Sequence, residues 1–180
     1  MVKMLVKFAV SGDPHVGGEA KVPCKPTREE LAQTSHWLKN DLEDISTFDP
    51  GLEFIVLCGD LTENGTRDDL RSYVNVVKSF RIPVYSVFGG HDALELRRKK
   101  ELDQTRYYRE IVGSLWYSFK KENFTFLVLV SEEPYLTPDQ RRLQEKWLRE
   151  NLDELPKGSD IVVFQHTEPT PELLERFFTI

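Results

Sequence analysis

Apolar residues along the chain fall into two kinds of run. Short apolar, β-branched stretches are Leu5–Val10, interrupted by Lys7, FIVLC at 54–58, which is unbroken, VYSVF at 84–88 and IVVF at 161–164. Such runs predict strands, and where they are continuous rather than alternating, strands covered on both faces. Between them apolar residues recur every three or four positions. Leu31, Trp37, Leu38, Leu42 and Ile45 predict an amphipathic helix from a Thr27 cap, with Glu30 at the capping-box position, to about Thr47, where Pro50-Gly51 ends it. A second helix is expected over about 66–80. A charged helical region should cover about 93–112, and its run Arg97-Arg98-Lys99-Lys100 reads as a solvated face. SLWYSFKKE and NFTFLVLVS, joined at Glu122-Asn123, predict an antiparallel hairpin. Thr137 with Pro138 behind it caps another helix, whose buried stripe should be Leu143, Trp147, Leu148 and Leu152. PELLERFF at 171–178 reads as the start of a last short helix. Strands alternating with helices predict an α/β fold with parallel strands.

Composition narrows the class. A chain of 180 residues with 39% apolar and 30% charged side chains fits one soluble domain. The net charge of −6 gives no general basis for binding nucleic acid. No segment has the length of apolar sequence a membrane span needs, and the N-terminus reads as a strand rather than a signal peptide. Two cysteines, Cys24 and Cys58, cannot build a disulfide framework; with no secretion signal the expected location is the cytoplasm.

Candidate chemistry gathers where strands end. The first strand leads to Asp13 and His15, the second to Asp60, the third to His91 and Asp92, the last to His166. In open α/β sheets ligands bind beyond the carboxyl ends of the strands, so these groups should share a crevice. Asp13-Pro14-His15 is expected as an extended segment presenting both side chains on one side. Carboxylate oxygen and imidazole nitrogen together suit Mn, Fe, Zn or a similar divalent ion. His36, alone on a helix, receives no role.

SGDPHVG, CGDLTENG, FGGHD and QHTEP resemble, in order, the sequence blocks of the calcineurin-like metallophosphoesterases. The resemblance implies that family's α/β/β/α four-layer sandwich and a hydrolase using metal-activated water on phosphate mono- or diesters, the substrate a small, nucleotide-like phosphate ester. It implies Asp13 and His15 as ligands of a first metal, Asp60 as a bridge and His166 as a ligand of a second. It also implies His91 as the group near the leaving oxygen, with Asp92 orienting its imidazole. Two departures accompany it. Gly90 stands where the family has a metal-ligating asparagine, so only water or a neighbouring group can fill that place. The family's late Gly-His-x-His block does not occur before Ile180. The expectation is therefore one metal rather than two, in a domain shortened at its C-terminus or covered there by a partner or a second copy. The alternative is a binding module without turnover, as one retromer subunit exemplifies within the family.

Overall fold

The computed structural model describes residues 5–17 and 28–168. Strands β1 (Phe8–Ser11), β2 (Phe54–Cys58) and β3 (Val84–Val87) form a parallel sheet in that order, with Phe8 opposite Phe54 and Ile55 opposite Val84. β2 is central, which explains its unbroken apolar run. Phe54 and Val56 face one way, against a second sheet, while Ile55 and Leu57 face the other way, against helices.

Those helices are α1 (Arg28–Phe48) and α2 (Arg67–Lys78). Leu38 and Leu42 of α1 are buried as expected, but Trp37 is 47% exposed. Thr27, and the side chains of Glu30 and Leu31, lie outside what the structure describes. α2 begins at Thr66, whose Oγ1 accepts from Asp69 N at 3.1 Å, with Asp68 and Asp69 in the first turn and Lys78 in the last. Both signs complement the helix dipole.

The second sheet has the order β4 (Tyr117–Lys121), β5 (Phe124–Val128), β6 (Asp160–Phe164). β4 and β5 form the expected antiparallel hairpin, and β6 lies parallel to β5. Phe126, Val128 and Phe164 point at the first sheet, whereas Leu127 and Leu129 point at α5 (Pro138–Asp153). The layers are thus helices, sheet, sheet, helix, as the sequence resemblance implied. Thr137 closes a capping box with Gln140 at the start of α5.

Two sequence expectations need correction. Leu143 of the α5 stripe is 57% exposed, and its neighbour Gln144 is buried instead. Gln144 accepts from Val130 N at 2.8 Å and donates to Val130 O at 3.0 Å, satisfying a peptide just past the end of β5. The region 93–112 is not one helix. A 3₁₀ turn (Gly90–Ala93) leads into α3 (Leu94–Arg98), and α4 (Arg106–Ile111) follows a break. Lys100 adopts φ 57° in that break, and Asp103 accepts hydrogen bonds from the Thr105 amide and hydroxyl. Arg97 to Lys100 are all exposed, the solvated face expected of them. The last helix expected at 171–178 and Cys24 lie outside the described residues.

Candidate metal centre

The loops after β1 and β2 run side by side. Asp13 N donates to Gly59 O at 3.2 Å, His15 N to Asp60 O at 3.1 Å and Val16 N to Leu61 O at 3.0 Å. This ladder places Asp13 and His15 beside Asp60, but not in the extended form expected. Asp13 (φ 56°), His15 (φ 43°) and Asp60 (φ 44°) all adopt left-handed backbone. That conformation costs a non-glycine residue about 1–3 kcal/mol, and observed strain of this kind clusters at functional sites.

Three of the four histidines aim one ring nitrogen at a single carboxylate. His166 Nε2 lies 3.4 Å from Asp60 Oδ1, and His15 Nε2 and His91 Nε2 lie 3.9 and 4.0 Å from Asp60 Oδ2. Behind each ring an oxygen meets Nδ1. His166 Nδ1 is 2.8 Å from the Cys58 carbonyl and His91 Nδ1 is 2.8 Å from the Glu63 carbonyl. A carbonyl only accepts, so Nδ1 carries the proton in both and Nε2 is the atom presented to the crevice. Glu63 Oε2 lies 2.7 Å from His15 Nδ1, although off the line of a hydrogen bond. Metal-ligating histidines are oriented this way, by an oxygen on the distal nitrogen.

Donor atoms fall into two groups sharing Asp60. His15, Asp60 and His91 form one; Asp13, Asp60 and His166 form the other, each with its atoms within 4.8 Å of one another. Either group could hold a divalent cation. Asp13 Oδ1 also lies 3.8 Å from His15 Nε2, the pairing the sequence resemblance implies, so His15 borders both groups. Burial opposes ionisation of Asp60, but His166 and the His91 N–H outweigh it and hold the carboxyl below its ordinary range. Asp60 in turn raises His166 to about 9, against the opposing effect of burial.

Asp92 does not meet the His91 ring as expected. Its carboxylate accepts from Thr62 N at 2.9 Å, Thr62 Oγ1 at 3.0 Å and Gly89 N at 3.0 Å, and it is 1% exposed. It ties the loop after β2 to the loop after β3 and so fixes the backbone carrying His91; the Glu63 carbonyl meets the ring. Burial pushes Asp92 up to about 7 against those hydrogen bonds. Two glycines permit the close nesting of these loops. A Cβ at Gly89 would stand 2.0 Å from Asp60 N, and one at Gly59 (φ 78°) 2.2 Å from His166 Cγ.

These two shifts predict how the chain without metal responds to pH. Asp92 binds its proton more tightly folded than unfolded, so its contribution is complete below about 4 and lost as pH rises through about 7. His166, raised from 6.5 to about 9, contributes fully below about 6.5 and loses its contribution through about 9. Both act in one direction. Urea denaturation in chelator should show a lower midpoint near pH 9 than near pH 5, and a flat or rising profile would contradict this.

Glu63 carries no distinguishing mark in the sequence, because an acid three residues past Asp60 looks there like a turn residue. Glu132 is equally unmarked. It lies on a loop after β5, yet the charges acting on it include those of His166, Asp60 and His91.

The family model described as calcineurin-like phosphoesterase matches residues 6–179. Among curated proteins, a probable glycerophosphodiester phosphodiesterase GpdQ of Arcobacter nitrofigilis is 24% identical over 135 residues, covering 73% of this chain and 48% of that protein. A probable cyclic nucleotide phosphodiesterase of Fibrobacter succinogenes is 24% identical over 170 residues, covering 94% of this chain and 59% of that protein. The chain thus spans about half to three-fifths of the length of these relatives. Among solved structures, purple acid phosphatase PPD1 from yellow lupin seeds aligns with a TM-score of 0.44 at 14% identity, over 88% of this chain and 29% of that one.

Proposed function

The chain belongs to the calcineurin-like phosphoesterase family, and from that premise we propose that it hydrolyses phosphate esters, diesters foremost, using divalent metal ions held beyond the ends of β1, β2, β3 and β6. The observation that carries this reading is the convergence of three Nε2 atoms on Asp60, each ring backed by an oxygen at Nδ1. The donor set fits such ions. It is all carboxylate and imidazole, and the left-handed backbone at Asp13, His15 and Asp60 is strain that a bound cation would offset.

Divalent ions bound there supply water of lowered pKa and charge to neutralise the phosphoryl oxygens. Everything else falls to the chain. Asp60, common to both donor groups, would be shared by ions held there, its charge offsetting repulsion between them, with His15 completing one side and Asp13 with His166 the other. His91 donates its Nδ1–H to the Glu63 carbonyl and turns Nε2 towards the crevice; as the imidazolium, with Nε2 also protonated and so not a metal ligand, it would orient the ester and give that proton to the leaving oxygen. Asp92 and Glu63 are positioning residues: the first fixes the His91 backbone, the second the His15 and His91 rings. The phosphodiesterase names of the two curated relatives direct the first assay to a diester.

Metal removal tests the proposal. The chain loaded with Mn²⁺, Fe²⁺ or Zn²⁺ should hydrolyse bis(p-nitrophenyl) phosphate faster than the monoester, lose that activity in chelator, and regain it when metal is returned. A chain that retains no metal and hydrolyses neither ester would refute the proposal and favour the binding module.

A further inference from the structure

Gly90 is the position where the family resemblance leaves a ligand unaccounted for. It is buried, and the space a side chain there would enter is filled. A Cβ at Gly90 would lie 2.7 Å from Glu132 Oε1 and 2.8 Å from the Tyr135 hydroxyl. Both groups arrive from the loop between β5 and α5, in the other sheet's half of the fold. Tyr135 is held in place by Arg97, which donates to its hydroxyl and stacks over its ring at 4.9 Å. Glu132 is held less completely. Its Oε1 lies beside Gly90, and its Oε2 is buried with no hydrogen-bond partner among the described residues. Burial holds the Glu132 carboxyl above its ordinary range, so its charged form is costly there unless a cation answers it.

We propose that Glu132 supplies the ligand that a side chain at position 90 would otherwise give, coordinating the divalent cation held by Asp13, Asp60 and His166. The inference rests on the metal-dependent reading above. Glu132 lies outside the two groups of mutually close donor atoms, so coordination would require its carboxylate to turn from Gly90 towards them. A carboxylate in place of a neutral amide adds one negative charge to this site, strengthening its hold on a hard cation. Gly90 and Glu132 would then work as a pair: a side chain at 90 would collide with Glu132, and loss of Glu132 would leave the ligand position empty.

The test is Mn²⁺ binding to the full chain, by calorimetry and native mass spectrometry, with circular dichroism as a folding control. Wild-type chain should bind two ions. Glu132→Ala should weaken one of them by at least about tenfold, the lower range for losing even an outer-sphere partner, and leave the other unchanged. Glu132→Gln, which keeps shape and a carbonyl oxygen, should weaken it less. Gly90→Asn alone should also impair that site by collision with Glu132 and Tyr135, and combining it with Glu132→Ala should restore binding. Unchanged affinities in Glu132→Ala, whether the wild-type chain holds two ions or one, would overturn the assignment while leaving the metal-dependent reading intact. A wild-type chain that binds no Mn²⁺ would overturn both.

Discussion

Asp60→Ala should abolish both metal sites in one step and lower phosphodiester hydrolysis by about 10³-fold or more, the range seen when a shared electrostatic group is removed. Among the described residues no other side chain belongs to both donor groups. Its oxygens also order the crevice: Oδ1 accepts from His91 N at 2.9 Å and faces His166 Nε2 at 3.4 Å, while Oδ2 faces His15 and His91. With Asp60 gone, the three imidazoles would lose the carboxylate they share, leaving Asp13 beside His15. Asp60→Asn preserves the shape but removes the charge, and should be nearly as damaging to metal binding and gentler on the fold. A second readout separates loss of the site from general damage. His166 is raised to about 9 chiefly by Asp60, so in Asp60→Asn its titration, followed by NMR in chelator, should move back towards 6.5. His36→Ala, on an exposed part of α1, should alter neither metal content nor rate. Two retained ions and wild-type turnover in Asp60→Ala would remove the basis for the proposed chemistry.

Phe126→Ala should be the most destabilising single truncation in the packing between the sheets, at about 3–5 kcal/mol. Phe126 is fully buried and its ring stacks on Phe119 at 4.9 Å and Phe164 at 6.0 Å, with edge contacts to Phe54 at 5.1 Å and Phe8 at 5.6 Å. It therefore touches both sheets, and its loss opens a cavity that rings held from several sides cannot readily close. Phe126→Leu should cost clearly less, because more of the volume is kept. The effect reaches the site through geometry. Asp60 follows β2 in one sheet and His166 follows β6 in the other, so the aromatic layer sets the distance between them. Denaturation midpoints measure the first effect, and weakened binding at the His166 side, with the His15 side spared, measures the second. Equal stability of wild type and Phe126→Ala would show that the layer contributes far less than its burial implies.

Much of this architecture is legible in the order of residues alone. The continuous run 54–58, the hairpin about Glu122-Asn123, the Thr66 and Thr137 helix starts and the acids and histidines just past strand ends are local features. Their causes lie within a few residues: steric fit of β-branched side chains to a covered strand, a hydroxyl that can cap an amide, a turn that ends a ladder. The boundaries that failed are also instructive. Region 93–112 has helical composition throughout, yet Lys100 and Asp103 turn the chain so that α4 can pack against α2. Leu143 and Gln144 are adjacent on α5, and which of them turns inward depends on an unpaired peptide at Val130, far away in sequence.

The six strand-end residues stand out because metal-competent side chains are few and strand ends are predictable. What they meet does not. Nδ1 of His166 and of His91 is met by a main-chain carbonyl, and every residue type offers one, so sequence carries no mark of it. Asp92 looks like a partner for the imidazole beside it, but folding turns its carboxylate to Thr62 and Gly89. Glu63 and Glu132 are ordinary acids in the sequence; Glu63 reaches His15 and His91 only when the loops after β1, β2 and β3 meet, and Glu132 comes beside Gly90 only when the loop after β5 joins them. By itself the sequence determined which elements form and which side chains stand at the strand ends, because hydrophobic period, capping and turn chemistry act over short range. Only the tertiary structure decided which ring nitrogens converge on Asp60 and what fills the place beside Gly90, because both depend on distances between segments that the chain connects but does not measure.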